Sequence, residues 1–356
     1  MSALAPGSVI GILGGGQLGR MLAMEAAALG FDVHIYTPEE DSPAARVSAR
    51  VTVAAYDDAV ALAAFARDVA VVTTEFENVP AATAEILIAS GAVVHPNPRA
   101  LALAQDRVAE KQLFASLGIA TAPFAVVDTR EDLAGALHTI GAPSILKTRR
   151  LGYDGKGQAR IASLGEADEA FASIGEAPAI LEGFCAFERE VSVVAARGID
   201  GSFAAYDLVQ NIHQNGILAR TIAPAPGAAA IADAANAMTQ RLAEALNYVG
   251  VITLELFVMP DGALLANEMA PRVHNSGHWT MDACGASQFE QHIRAIAGWP
   301  LASTTRLCDA EMQNLIGADA DAWQTLSADP NARLHLYGKR DALPGRKMGH
   351  VTRLKP

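Results

Sequence analysis

Short apolar runs and helix-spaced apolar positions alternate along the first part of the chain. Ser8–Leu13 (SVIGIL) is a continuous apolar run of strand type, and Leu18, Met21, Leu22 and Leu29 then recur at helical spacing. Gly30 stops that helix, and Asp32–Tyr36 reads as a second strand. Arg50–Val53 and Val69–Thr73 are further strand-like runs, with helices over Ala59–Arg67 and Pro80–Ser90 among them. This β-α-β order predicts a parallel sheet with flanking helices.

Pro96-Asn97-Pro98 breaks the pattern, and Arg99–Leu117 reads as one helix ended by Gly118. Mixed structure follows: strand Phe124–Val127, helix Asp132–Thr139, strand Ser144–Lys147 and a glycine-rich loop at Gly152–Gln158. Ile180–Glu182, Glu190–Ala195 and Ser202–Leu208 are strand-like, Ala228–Tyr248 is a long helix, and Val251–Glu268 is a hairpin. The end of the chain, Leu334–Lys355, is basic and contains glycine.

Composition narrows the class. A length of 356 residues allows two or three domains, and 51% hydrophobic against 19% charged residues describes a globular chain. The 27 Lys and Arg against 39 Asp and Glu give −12, which argues against a nucleic-acid partner. A local basic cluster can still oppose that sign, so small phosphorylated ligands stay open. Three cysteines without C-x-x-C spacing argue against a disulfide framework or a cysteine zinc site. No signal-peptide pattern and no long apolar span are read, so the expectation is a cytoplasmic protein without a membrane partner.

Gly14-Gly15-Gly16-Gln17-Leu18-Gly19 fits G-x-G-x-x-G, which brings helix N-terminal amides up to an anion. A dinucleotide site would want a carboxylate at the end of the second strand, where Tyr36-Thr37-Pro38 stands instead. A phosphate cradle, a dinucleotide site and a plain tight turn all remain open. Glu75 and Glu77 follow a strand end, where ligands of parallel sheets sit, or they serve a helix N-terminus.

Lys147 closes an apolar strand just before Gly152-Tyr153-Asp154-Gly155-Lys156-Gly157-Gln158, a loop able to wrap a polyphosphate. It is no P-loop, because G-K-[ST] and a following helix are missing. In the hairpin, a four-residue turn at Met259–Gly262 pairs Val258 with Ala263 and Thr253 with Glu268. Glu255 and Glu268 then share a face as diagonal neighbours, a hard-oxygen pair suited to Mg²⁺. A glycosidase-like acid pair is the rival. His274 and His278 have a metal spacing only if helical; Ser276 and Gly277 favour a loop that meets substrate.

Together GGGQLGR (from Gly14), TEFENVP (from Thr74), QDRVAEK (from Gln105), LGYDGKGQ (from Leu151), NEMAPRVHNSGH (from Asn267) and GRKMGH (from Gly345) resemble one family over essentially the whole chain. It is the 5-(carboxyamino)imidazole ribonucleotide synthetase family, the ATPase subunit of bacterial phosphoribosylaminoimidazole carboxylase, within the ATP-grasp superfamily. The resemblance implies a mixed α/β and α+β ATP-grasp fold. It divides into a Rossmann-like domain at 1–104, two ATP-grasp lobes at about 105–182 and 183–310, and a small β-rich segment at 311–356. It implies carboxylation of 5-aminoimidazole ribonucleotide with ATP, Mg²⁺ and bicarbonate, by a homodimer.

Residue by residue, the resemblance puts Arg107, Lys147, the Gly152–Gln158 flap, Glu182, Gly183, Phe184, Cys185, Glu190, His213, Asn267 and Glu268 around ATP. Glu255 and Glu268 would hold Mg²⁺. Gly15, Gly16, Gln17, Leu18, Glu75, Tyr153, Asp154, Arg272, His274, Asn275, Ser276, Lys339, Arg346 and Lys347 would meet the ribonucleotide. Asp154, Lys147 and Arg272 would be catalytic. Another ATP-grasp ligase, of the formate-dependent glycinamide ribonucleotide transformylase type, is the nearest alternative. A nicotinamide-dependent oxidoreductase is a distant one.

Overall fold

The computed structural model describes residues 3–152 and 156–355. Among them, three sheets organise the chain. The first holds β1 (Val9–Leu13), β2 (Asp32–Thr37), β3 (Arg50–Val53) and β4 (Val71–Thr74), all parallel in the order β3-β2-β1-β4. Strands β1, β2 and β4 are largely buried because helices cover the sheet, as parallel sheets require, whereas the edge strand β3 is mostly exposed.

The second sheet is antiparallel: β5 (Phe124–Val127), β6 (Ser144–Thr148), β7 (Gln158–Ile161) and β8 (Ala179–Gly183), ordered β5-β8-β6-β7. Val127, Leu146, Phe171 and Leu181 form a core of its own beneath it.

The third sheet has nine strands: β9 (Arg189–Arg197), β10 (Phe203–Ala205), β11 (Val209–Gln214), β12 (Ile217–Ala223), β13 (Gly250–Val258), β14 (Leu264–Ala270), β15 (Asp309–Ile316), β16 (Ala332–Leu336) and β17 (Lys347–Lys355). The last three make the β-rich C-terminal segment, and they extend the large sheet because β15 pairs with β12. Helix Gln17–Ala28 packs on helix Gln288–Ile296, so Leu22, Ile35, Phe289 and Ile293 share one core between the first and third sheets.

Four expectations change. The single helix over Arg99–Leu117 is two, Pro98–Ala104 and Arg107–Ser116. Asp106 caps the second, its carboxylate accepting from the Val108 and Ala109 amides at 3.0 and 3.2 Å. The strand at Ser202–Leu208 shrinks to Phe203–Ala205, and the β11–β12 hairpin is unanticipated. Its turn is Asn215-Gly216, both with positive φ (52° and 78°), the type I′ geometry that Asn-Gly favours. The helix at Ala228–Tyr248 is a short 3₁₀ turn, Ala228–Ala230, followed by Ala232–Ala245.

The hairpin register also differs. Val258 faces Leu264 and Leu256 faces Ala266, yet Glu255 faces Glu268 directly. Asn267 is the extra residue of a β-bulge between them. The longer turn alone would have put the two acids on opposite faces, and the bulge restores their alignment.

Candidate functional site

A cleft of about 610 Å³ opens where the three sheets meet. Of the anticipated residues, its walls hold Gln17, Leu18, Glu75, Arg107, Lys147, Gly152, Lys156, Gln158, Glu190, His213, Glu255, Asn267, Glu268, Arg272, His274, Asn275 and Lys347. Tyr153, Asp154 and Gly155 lie outside the described residues. Residues 182–185, Gly157, Ser276, Lys339 and Arg346 are not among the lining residues.

The acidic hairpin and the neighbouring Glu190 are met by basic side chains from other elements. His274 Nε2 lies 3.0 Å from Glu255, Arg107 Nη1 is 3.1 Å from Glu268, and His213 Nδ1 is 3.0 Å from Glu190. Burial opposes ionisation of Glu255, but His274 outweighs it and holds the carboxyl below its ordinary value. Arg272 pairs with Glu77; burial opposes that acid too, and the guanidinium still holds it down to about 2. Opposed hard-oxygen carboxylates, the Glu268 side chain 41% exposed, fit Mg²⁺.

Glu182 has a role in the wall of the cleft that its sequence context did not reveal. Its carboxylate is buried between Lys147 (2.6 Å) and Lys111 (3.4 Å), which overcome the burial penalty and hold it down to about 2. The Gly183 and Phe184 amides already donate to Pro123 O and Pro143 O at 2.8 and 3.2 Å. The Cys185 thiol is near Gly183 O at 3.8 Å, and burial raises it. This stretch therefore fixes Lys147 in the cleft wall. Ile145, Phe187, Phe257 and Met269 line the cleft near it, with the Phe187 and Phe257 rings stacked 4.5 Å apart.

Glu75 lines the cleft and is also bonded within its own domain. It accepts from the Gly16 and Gly19 amides at 2.5 and 2.8 Å, so the turn's anion site is filled by the chain itself. A Cβ on Gly15 would sit 2.3 Å from Ser42 Oγ, and one on Gly16 would sit 2.5 Å from Glu75 Oε1. These glycines are demanded by close packing. A dinucleotide pyrophosphate would have to evict Glu75, which closes the oxidoreductase reading of that motif.

The C-terminal strands return to the cleft. Tyr337 and Lys347 line it, and Lys339 Nζ sits 5.9 Å from the Tyr337 ring. Burial first, then the charge of Arg346, pushes the Lys339 ammonium down to about 8. Like charges crowded together in this way favour an incoming anion.

Sequence reasoning missed three supporting residues. Lys111 Nζ donates to Asn267 O at 2.8 Å and Glu110 accepts from the Met269 amide at 2.7 Å, so both brace the bulged strand. Their spacing from Arg107 on one helix, i+3 and i+4, is the signal that would have found them. Gln288 clamps the 274–278 loop, accepting from His274 N–H (2.8 Å) and donating to His274 O (2.6 Å). The loop is a 3₁₀ turn over Asn275–Gly277, so His274 and His278 form no metal pair. Ser276 is buried against Ser192 at 2.8 Å.

The fold and its cleft are those of an ATP-grasp enzyme, an ATP-dependent ligase: the ATP-grasp domain model matches residues 112–289. The ribonucleotide synthetase preATP-grasp domain matches 8–105, and the phosphoribosylaminoimidazole carboxylase C-terminal domain matches 310–356. The N5-carboxyaminoimidazole ribonucleotide synthase of Brucella melitensis is 56% identical over 100% of this chain and 98% of that protein. The chain belongs to the N5-carboxyaminoimidazole ribonucleotide synthase family. The crystal structure of the Thermus thermophilus synthetase superposes with a TM-score of 0.92 at 46% identity, covering 97% of this chain and 93% of that one. That of the Aspergillus clavatus synthase, in complex with ADP and 5-aminoimidazole ribonucleotide, has a TM-score of 0.91 at 30% identity, covering 99% and 94%.

Proposed function

We propose that this chain carboxylates the exocyclic amine of 5-aminoimidazole ribonucleotide, using ATP and bicarbonate and releasing ADP and phosphate. The observation that carries the reading is the charge layout of the cleft. A carboxylate pair braced by Arg107 and His274 lies in the same cavity as Lys147, Arg272 and Lys347. That layout suits two phosphorylated ligands meeting over one reaction centre.

Ile145, Phe187, Phe257 and Met269 offer the base of ATP an apolar slot, and Glu190 with His213 meets its ribose. Lys147 and Arg107 neutralise the polyphosphate, and Lys156 with Gln158 covers it from the flap. Glu255 and Glu268, with Asn267 between, would hold Mg²⁺, which supplies charge neutralisation at the transferring phosphoryl group. A bicarbonate oxygen takes the γ-phosphoryl group as the bond to ADP breaks. The amine nitrogen then bonds to the carbon of carboxyphosphate, or of the CO₂ it releases, and phosphate leaves with the electron pair of the broken C–O bond.

Arg272 offsets the negative charge gathered at that centre, with Glu77 fixing its position. Lys339, Arg346 and Lys347 bind the ribonucleotide phosphate; Gln17, Leu18, His274, Asn275 and Tyr153 surround the rest. Asp154 orients the amine and takes its proton; full carboxylation activity in Asp154→Asn would remove that role. The family expectation of a homodimer is tested by sedimentation.

The deciding assay is ADP release with each ribonucleotide, with and without bicarbonate. Release that needs both 5-aminoimidazole ribonucleotide and bicarbonate is expected. Equal stimulation by glycinamide ribonucleotide and formate would overturn the reading.

A further inference from the structure

We propose that Asp282, His335 and His350 form a second metal site, separate from the Glu255/Glu268 pair and suited to a zinc-type divalent ion. Strands β16 and β17 place His335 and His350 directly opposite one another. Cross-strand partners project to the same face, and the two rings stack with centroids 4.5 Å apart and planes 15° from parallel. Asp282, from the short helix Thr280–Ala283, brings both carboxylate oxygens to His335 Nε2, at 3.1 and 3.0 Å. One ligand atom from each of the three residues lies within 4.8 Å of the other two. Ligands about 2.0–2.2 Å from a tetrahedral zinc sit roughly 3.4 Å apart, so small side-chain rotations close the set.

A second, independent observation points into the same space. His350 is fully buried, and its Nδ1 is engaged with the Tyr337 hydroxyl at 2.9 Å, whereas its Nε2 is buried without a hydrogen-bond partner. An orphaned buried ring nitrogen is costly unless something accepts its lone pair or its proton. When Nδ1–H donates to the tyrosine, the uncommitted lone pair is on Nε2, the arrangement in which an outer partner orients a metal-bound imidazole.

The donor set decides the metal. Two imidazoles and one carboxylate suit Zn²⁺, Co²⁺ or Ni²⁺, whereas Mg²⁺ wants oxygen ligands and retained water. The location gives such an ion a purpose. His278, in the wall of the cleft, has its ring 4.8 Å from that of His350, and Asp282 follows the 274–278 loop closely in sequence. An ion held by Asp282, His335 and His350 would pin the two C-terminal strands, with Lys347 and the connection that carries Lys339, to the loop that carries His274.

The test is a Co²⁺ titration of chelator-stripped protein, with excess Mg²⁺ saturating the acidic pair, read by visible d–d absorption and by bound metal. About one Co²⁺ per chain, displaced by Zn²⁺, is expected in the wild type. Affinity should fall about tenfold or more in His335→Gln and in Asp282→Asn, each checked for native circular dichroism. Zn²⁺ should also raise the wild-type melting temperature and leave that of His335→Gln unmoved. No Co²⁺ binding in the wild type, or the same bands and affinity in folded His335→Gln, would overturn the site. The trio would then be a hydrogen-bonded structural cluster only.

Discussion

The glycine turn at Gly14–Gly16 and the hairpin bearing Glu255 and Glu268 both place carboxylates at the rim of one cleft, and they resolve that charge in opposite ways. At the turn, one buried acid is taken up by two amides of its own domain, reached across 59 residues of sequence. At the hairpin, two acids face each other, and each is met by one basic side chain from a different element. Backbone amides cannot leave Glu75 without dismantling a helix start, whereas Arg107 and His274 can swing toward a ligand. A glycine motif thus specifies a turn, and a distant residue decides whether that turn is a binding site.

The comparison predicts its largest effect at the hairpin. Glu268→Gln should lower kcat for ADP formation by about 10³-fold or more, because charge neutralisation at phosphoryl transfer is lost. Its unfolding midpoint should stay close to the wild type, since the side chain is 41% exposed. Turnover within about tenfold of the wild type would place the metal-binding role elsewhere. Glu75→Ala should do the reverse and register first in stability. Two buried amides lose their acceptor, at a cost of about 1–3 kcal/mol each at most, read by urea unfolding. Inorganic phosphate should raise the urea midpoint of the variant by more than it raises that of the wild type. An unchanged urea midpoint would mean that Glu75 is no plug.

The two regions also differ in how far sequence exposes them. The parallel strands were legible because each is a short apolar run between helix-spaced segments. The closeness of Glu255 and Glu268 was legible too, but for an incomplete reason: the turn count was short, and the bulge at Asn267 compensates. Asp106 looked like one more polar helix residue until its carboxylate was seen capping a new helix, which turns Arg107 into the cleft. The Asn215-Gly216 dipeptide is a readable hairpin signal between flanks, VQNIHQ and ILARTIA, that lack strict alternation. The partners of Glu75 and Glu182 had no local signal at all. They are tertiary pairings of buried groups, created by packing.

Glu110 sharpens the comparison with its smallest effect. It is as buried as Glu75 and beside the same metal-type pair as Glu268, but it has one amide donor, from Met269. Burial first, then the charge of Glu268, raises its carboxyl to about 8, so the acid is mostly protonated near neutrality. Glu110→Gln copies that neutral, amide-accepting form. Activity at pH 7 should stay within about threefold, and stability at pH 5 within about 1 kcal/mol. The difference opens steadily as the pH rises from there. A folded-state proton affinity above the ordinary value near 4.5 contributes stability that is fully present below 4.5 and lost as pH rises through about 8. Every tenfold difference in that affinity carries about 1.4 kcal/mol, so by pH 9 the variant should be the more stable protein, by about 1 kcal/mol or more. Parallel unfolding curves of the two proteins from pH 5 to pH 9 would instead make Glu110 an ionised partner of Arg107 and Lys111. Glu110 would then belong with the charged, ligand-exchangeable side of the cleft.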